Sequence, residues 1–176
     1  MVDNIRTLVD GFTIRFAEER DASIIFGMVK ELAEYEKLLD TFEATIELLR
    51  ESLFGRGVAE ALIGEYRGRP VGYAILFHNF STFKGRIGIF IEDVYVKPEL
   101  RGRGFGEAMF SFIAKLAIKR KCGRVEWACL NWNEPSISFY KKLGAVALDD
   151  WKMYRLEGNY LKRTAEKATL NLVKKL

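Results

Sequence analysis

Hydrophobic residues recur with two different periods along the chain, and these periods predict where strands and helices lie. Alternation over FTIRFA, residues 12–17, is typical of a short strand. From Asp21 onward, apolar residues three and four positions apart predict a helix with one buried face: Ile24, Ile25, Met28, Val29, Leu32 and Tyr35. Thr45 precedes a further apolar run and is predicted to cap a short second helix that ends before Gly55.

The middle and the end of the chain predict alternating strands and helices. Three strand-like segments, ALIGEY, VGYAILFHNF and RIGIFIEDVYV, are separated by the turn-like RGRP and STFKG. A helix is predicted from RGRGFG to Lys121, with Gly123 at its C′ position. The strand RVEWACL, the helix NEPSISFYKKLG and a last strand WKMYRLE follow. This order predicts a mixed α/β fold.

Composition indicates an ordinary globular protein. The 176 residues suit a single domain, 1–176, with a core over about 13–160 and an amphipathic helix over 161–176. Hydrophobic residues make up 49% and charged residues 30%, and no apolar run is long enough to span a membrane. The first residues lack the pattern of a secretory signal, and two cysteines, Cys122 and Cys129, are too few for a disulfide framework, so we expect a cytoplasmic protein.

The stretch RGRGFG, residues 101–106, is the first candidate for chemistry. It follows a strand and precedes a helix, where unpaired N–H groups and the helix dipole favour an anion. Glycines at every second position remove Cβ atoms that would hold a phosphate away, and two arginines stand at the rim. The stretch lacks the ending of a Walker motif and does not follow the first strand, as a dinucleotide fingerprint would. Taken alone, it is equally compatible with a simple connecting turn. The net charge of +4 is spread along the chain and predicts no nucleic-acid partner.

Four motifs in order give the chain a resemblance to the GNAT superfamily of N-acetyltransferases, and within it to the spermidine/spermine (diamine) acetyltransferase group. They are KELAEYE (30–36), IEDVYV (91–96), RGRGFG (101–106) and WNEPSISFYKKLGA (132–145). The resemblance implies a mixed, mostly antiparallel sheet flanked by helices, with acetyl-CoA as the cofactor. It also implies a homodimer, a small-molecule amine substrate, and no metal, nucleic-acid or membrane partner.

The resemblance also assigns roles to individual residues. Tyr140 would be the general acid that protonates the coenzyme A sulfur, and Glu92 would accept a proton from the amine. Without the motif match, a tyrosine beside Phe139 would be interpreted as part of the core. The cofactor-binding residues that the resemblance implies are Val94, Tyr95, Val96, Arg101, Gly102, Arg103, Gly104, Phe105, Gly106, Glu107, Asn133, Pro135, Ser136 and Tyr140.

The substrate side is assigned by the same resemblance. Its predicted residues are Tyr35, Glu36, Glu92, Asp93 and Asp149, although each acid taken singly is equally typical of a solvated surface charge. Alternation along the strand predicts that Glu92 and Asp93 point to opposite faces. A bulge in this strand would expose an N–H group for an oxyanion, which sequence alone does not reveal.

The predicted function is direct transfer of an acetyl group from acetyl-CoA to a primary amine of a small polycation, a polyamine or diamine. Thr82 and Lys84 replace an acid and an aromatic residue of the animal diamine enzymes, and Asn131 replaces an acid, which favours a shorter acceptor. Thialysine, lysine-like, peptide or aminoglycoside amines are alternative acceptors. A non-catalytic acyl-CoA-binding module on the same fold is a further alternative.

Overall fold

Six strands among the described residues form one sheet, and their order in the sheet is their order along the chain. The first five strands pair antiparallel with their neighbours, and the sixth pairs parallel with the fifth. The strands are β1 (Ile5–Arg6), β2 (Phe12–Phe16), β3 (Glu60–Tyr66), β4 (Arg69–Ser81), β5 (Arg86–Val96) and β6 (Val125–Trp127). The predicted mostly antiparallel mixed sheet is therefore confirmed.

The computed structural model describes residues 5–168, which divide into two compact units at Glu134 and Pro135. The sheet belongs to the first unit. The helices are α1 (Ala22–Tyr35), α2 (Ile46–Arg50), α3 (Phe105–Lys119), α4 (Glu134–Lys142) and α5 (Gly158–Ala165). Thr45 caps α2 as predicted, because its hydroxyl oxygen accepts a hydrogen bond from the Leu48 N–H at 3.2 Å.

The two long helices cover opposite faces of the sheet. Ile25 and Met28 of α1 join a buried cluster that contains Ile63 of β3. On the other face, a Cβ atom at the next residue, Gly64, would lie 3.3 Å from the Met109 sulfur of α3. Each fully buried side chain of this size contributes roughly 1.5–3 kcal/mol. The helical period read from the sequence therefore supplies two apolar layers to one sheet.

A buried arginine joins the first strands to the start of α1. Arg15 of β2 donates two hydrogen bonds to the carboxylate of Asp21, at 2.6 and 2.8 Å, and a third to Glu65 of β3 at 2.8 Å. Arg15 and Asp21 are both buried. The pKa of Asp21 lies below its ordinary range because the Arg15 guanidinium donates to its charged form. The ion cluster fixes where the chain leaves β2 and enters α1.

Three sequence predictions need correction. The C′ residue of α3 is Lys121, with φ of 58°, and not Gly123, because Cys122 N–H donates to Ala117 C=O and closes the helix earlier. The segment WKMYRLE, residues 151–157, is not a strand; it lies in the second unit, which offers it no strand partner among its described residues. The tail helix ends at Ala165, and residues 169–176 lie outside the described part.

The prediction of one domain over residues 1–176 remains a prediction. Across residues 5–168, no helix combines the length and the hydropathy that crossing a bilayer requires.

Candidate active site

A β-bulge in β5 places Glu92 at an irregular position of the strand. Leu76 of β4 lies opposite Ile91, whereas Ile75 lies opposite Asp93, so Glu92 is an extra residue on β5. A bulge bends its strand and redirects the amides around it. Glu92 is exposed, and Asp93 is partly buried. The two adjacent acids therefore occupy different environments, and the bulge interrupts the simple alternation from which opposite faces were predicted.

Beyond this bulge, one edge of β5 has no strand partner within the described residues. Pairing with β6 ends at Ile91, which lies opposite Trp127, whereas β5 continues to Val96. Lys97 N–H donates to Val71 C=O of β4 at 2.9 Å. Because bonding directions alternate along a strand, the backbone groups of Val94 and Val96 point away from β4, toward the open edge. These two residues can offer backbone hydrogen bonds to an extended ligand, as an added strand would receive.

Tyr95 does not share that orientation. Its backbone groups face β4, and its buried side chain donates a hydrogen bond to Glu31 Oε2 of α1 at 2.9 Å. Burial and this hydrogen bond raise the pKa of Tyr95. The structure thus separates Tyr95, which was predicted to bind the cofactor, from the open edge that its two neighbours line.

The glycine-rich loop forms the start of α3. Gly102 and Gly104 have φ of 76° and 84°, a left-handed conformation that disfavours side chains. The first backbone bond into the helix is donated by Ala108 N–H to Gly104 C=O at 2.9 Å, so the earlier N–H groups of the first turn, including those of Gly106 and Glu107, are available to an anion. The Phe105 side chain is buried and stacks on Phe12 with ring centroids 4.4 Å apart. Phe105 therefore anchors the loop and offers the site only its backbone.

The two loop arginines lie over tyrosine rings. Arg101 stacks on Tyr35 with 4.6 Å between the guanidinium carbon and the ring centroid, and its Nε donates to Val96 C=O at 3.0 Å. Arg103 lies 5.9 Å from the ring centroid of Tyr66. The sequence predicted that both would add charge at the rim of a phosphate site. The structure gives Arg101 in particular a set of protein partners.

A cavity of about 180 Å³ lies beside α1, where the acceptor residues were predicted. α1 ends in a tight turn: Lys37 has φ of 60°, and Leu38 N–H donates to Ala33 C=O at 2.8 Å. This turn brings Leu38 back against the helix. The cavity lining combines apolar residues with two acids: Val29, Leu32, Ala33, Glu36, Leu38, Thr41, Phe42 and Asp93.

The two acids in this cavity have perturbed ionisation. Burial raises the pKa of Asp93 to about 6, and the negative charges of Glu92 and Glu36 act in the same direction. The Tyr73 hydroxyl, which donates to Asp93 Oδ2 at 3.2 Å, opposes that rise. Burial also raises the pKa of Glu36. A cation entering the cavity would relieve both penalties, so the cavity favours a positively charged guest.

The side chains of Tyr35 and Glu36, both predicted to bind the acceptor, have different surroundings. The Tyr35 hydroxyl donates to Asn133 Oδ1 at 3.1 Å, and its ring lies 5.9 Å from the ring of Trp132. Asn133 is buried and directly precedes α4. Glu36 lines the cavity that also contains Asp93, which we call the acid cavity. Tyr35 instead joins α1 to the segment that leads into α4.

The second unit contains the remaining predicted residues. Pro135 and Ser136 lie in the first turn of α4, and Tyr140 lies in its last turn. Ala145 N–H donates to Tyr140 C=O at 3.1 Å, and Gly144, with φ of 83°, makes the turn that permits this closure. Tyr140 is half-buried with its ring 5.5 Å from that of Phe139. Asp149 is exposed, in a segment without regular structure.

Sequence reasoning missed Tyr73, Glu31 and the cavity wall formed by Leu38 and Phe42. Tyr73 is fully buried, and it lies 20 residues before its hydrogen-bond partner Asp93 in the sequence. Glu31 accepts hydrogen bonds from both Tyr95 and Lys97. Within a helix, an acid such as Glu31 is typical of a solvated face, and no local pattern identifies its partners.

The comparisons with known proteins agree with this geometry. The acetyltransferase (GNAT) family matches residues 26–145. Thialysine N-epsilon-acetyltransferase of Bos taurus is 40% identical over 166 residues, which cover 88% of this chain and 97% of that protein. Spermidine/spermine N(1)-acetyltransferase-like protein 1 of Homo sapiens is 30% identical over 161 residues, covering 85% of this chain and 23% of that protein. In fold, an integron cassette protein of V. cholerae matches with a TM-score of 0.76 at 23% identity, covering 89% of this chain and 99% of that chain.

The chain belongs to the GNAT acetyltransferase family. It is an acetyl-CoA-dependent N-acetyltransferase, and the resemblance read from the sequence is confirmed. The residues present fit an acyl-CoA donor, because the edge of β5 at Val94 and Val96 offers backbone groups and the left-handed glycines open the start of α3 to phosphates.

Proposed function

We propose that the acceptor is a small diamine or polyamine, acetylated on a primary amine. The observation that carries this proposal is the cavity in which Glu36 and Asp93 lie among apolar side chains of α1 and the turn after it. An ammonium group compensates the two partly buried carboxylates, while a methylene chain fills the apolar part. The lining within the described residues has two acids and no basic side chain, which disfavours a carboxylate in this cavity.

A thialysine-like acceptor is the second candidate, and the relatives favour it. The Bos taurus protein and its Sus scrofa counterpart, each 40% identical to this chain, are thialysine N-epsilon-acetyltransferases. Thialysine carries the same terminal aminoethyl group as a diamine on a thioether spacer. It differs by an α-carboxylate, which would need a cation outside the cavity lining.

Glu92, Val94 and Tyr140 would carry the chemistry in either case. Bound acetyl-CoA supplies a thioester carbonyl that a neutral amine attacks, forming the C–N bond and breaking the C–S bond. Glu92, exposed at the bulge, takes the proton from the amine, directly or through water. The Val94 N–H at the open edge of β5 donates to the carbonyl oxygen as charge develops there. Tyr140 gives its hydroxyl proton to the departing sulfur, a role that rests on the W-N-E-P-S-x-x-F-Y motif.

Matched acceptor pairs test the substrate proposal. Thiol release from acetyl-CoA is measured with thialysine against 2,2′-thiobis(ethylamine), and with lysine against 1,5-diaminopentane, alongside putrescine, spermidine, spermine, an aminoglycoside and a peptide. The members of each matched pair differ only by the carboxylate. We expect kcat/KM to be at least about tenfold higher for the diamine of each pair, the factor that corresponds to about 1.4 kcal/mol. A preference for the amino acid in both pairs would replace the diamine assignment with the thialysine one.

Two substitutions test the catalytic roles. Tyr140→Phe should lower kcat about 10²-fold or more with little change in acetyl-CoA affinity, because it removes the hydroxyl group that would supply the proton. Glu92→Gln should lower kcat/KM most at low pH, where the acceptor amine is most fully protonated. Unchanged turnover in the first variant, or an unchanged pH profile in the second, would reject the corresponding role.

A further inference from the structure

Arg101 joins three parts of the first unit through its guanidinium group. The guanidinium carbon lies 4.6 Å from the ring centroid of Tyr35 and 5.7 Å from that of Tyr95. The Nε group donates to the Val96 carbonyl at 3.0 Å. Because stacking on an aromatic face and donation through Nε together fix the plane of a guanidinium, Arg101 is held against α1 and β5 at once.

The contact continues on both sides of Arg101. The Tyr35 hydroxyl donates to Asn133 Oδ1, so the last residue of α1 is also tied to the segment before α4. Tyr95 and Lys97 both donate to the carboxylate of Glu31, at 2.9 and 3.1 Å, which attaches the middle of α1 to the end of β5. Contacts at Glu31 and Tyr35, about one helical turn apart, therefore hold α1 against the strand that carries the open edge.

This arrangement has a direct relation to both substrates. Val96 is one of the two residues whose backbone faces the open edge of β5, and its carbonyl oxygen accepts the hydrogen bond from Arg101. Tyr35 immediately precedes Glu36, which lines the acid cavity. A displacement of Arg101 would release the end of α1 and alter the edge of β5 together.

We propose that Arg101 is a positioning residue that fixes the end of α1 against the open edge of β5, with Tyr35 as its main partner, and that it is not a ligand of the donor's diphosphate. The lysine variant separates the two roles. Lysine keeps the positive charge that a phosphate attracts, but it lacks the planar group that stacks on Tyr35 while donating to Val96.

Calorimetric titration with two ligands tests the proposal without any acceptor. One ligand is coenzyme A, and the other is adenosine 3′-phosphate 5′-diphosphate, which keeps the diphosphate and lacks the pantetheine arm. For Arg101→Ala and Arg101→Lys, we expect the Kd of coenzyme A to rise about tenfold while the Kd of the nucleotide stays within about twofold. The thermal midpoint of each variant is measured first to establish that it is folded.

Further variants test the partnership with Tyr35. Tyr35→Leu removes the ring and should raise the Kd of coenzyme A as Arg101→Ala does. The double variant should bind coenzyme A no more weakly than either single variant. Arg67→Ala is the matched control, because it removes an exposed guanidinium in the turn between β3 and β4 that lies 5.2 Å from the centroid of the Tyr66 ring. Its Kd for coenzyme A should stay at the wild-type value.

Opposite results would overturn the proposal. If Arg101→Ala weakens the nucleotide as much as coenzyme A, and Arg101→Lys restores both affinities, Arg101 is a diphosphate ligand. If the effects of Arg101→Ala and Tyr35→Leu add fully in the double variant, the two residues do not act through one contact.

Discussion

Asp93 shows how one partly buried side chain gives the site a dependence on pH. Its carboxyl lies in the cavity with Glu36 and accepts a hydrogen bond from Tyr73, and its pKa of about 6 lies above the ordinary value for an aspartate. The folded protein therefore retains this proton at a pH where the unfolded chain has released it. A bound cation would lower the pKa again, which links acceptor binding to proton release.

The raised pKa of Asp93 predicts a loss of stability as pH rises from about 4 to about 6, about 3 kcal/mol from this group. Above that window the contribution is constant. Asp93→Asn should remove this component, so its stability relative to the wild type should increase across the window. Urea unfolding at several pH values measures the difference, with the exposed Asp40→Asn as the control. A pH-independent difference for Asp93→Asn would contradict the prediction.

Gly102 provides a second prediction for a single residue. Gly102 and Gly85 have φ of 76° and 60°, and a Cβ atom at either would meet no other atom within 4 Å. Replacement by alanine should cost each about 1–2 kcal/mol from backbone strain alone. Only Gly102→Ala should also raise the KM for acetyl-CoA, because Gly85 lies in the turn between β4 and β5. Equal KM values in the two variants would remove Gly102 from the phosphate-binding loop.

Among the elements, β2, β3 and the start of α1 depend on one buried arginine. Arg15→Ala leaves the carboxylates of Asp21 and Glu65 without their main partner in a shielded site, so we expect a loss of about 3–5 kcal/mol in the free energy of unfolding. Arg20→Ala is the control, since its ion pair with Glu18 is exposed and worth at most about 1 kcal/mol. Chemical denaturation compares the two variants. Similar losses of unfolding free energy in both variants would show that the buried ion cluster contributes no more to stability than an exposed ion pair.

The strand β5 combines two functions because its two edges differ. Pairing with β4 continues along its length, apart from the bulge at Glu92, while pairing with β6 stops at Ile91. The same strand is thus held in the sheet on one side and available to a ligand on the other. A bulge at the place where the partner strand ends directs both an acid and an open row of amides to one region.

For the whole molecule, the resemblance predicts a homodimer. Sedimentation equilibrium should therefore give twice the chain mass of 20.2 kDa. A single species at the chain mass over the micromolar range would refute the dimer.

The sequence by itself determined strands β2 to β6, the long helices and the family. Periods of two and of three to four residues reflect local geometry, and motifs such as RGRGFG require their glycines locally, because only glycine readily adopts the left-handed turns found at Gly102 and Gly104. The Schellman turn at Gly144 was predictable for the same reason. The left-handed residue after α3 was not predictable. It is Lys121 and not Gly123, because the hydrogen bonds that close the helix, and not the residue type, determine where the chain turns.

Only the tertiary structure decided which distant residues meet. The Tyr73 hydroxyl of β4 donates a hydrogen bond to Asp93 of β5, and the Glu31 carboxylate accepts hydrogen bonds from Tyr95 and Lys97. The Arg101 guanidinium stacks on the ring of Tyr35. The bulge at Glu92 depends on the register between β4 and β5, which is a property of two segments together. Local sequence sets the conformation of each segment, whereas register, burial and charge pairing arise from packing between segments, and these determine the environment of each reactive group.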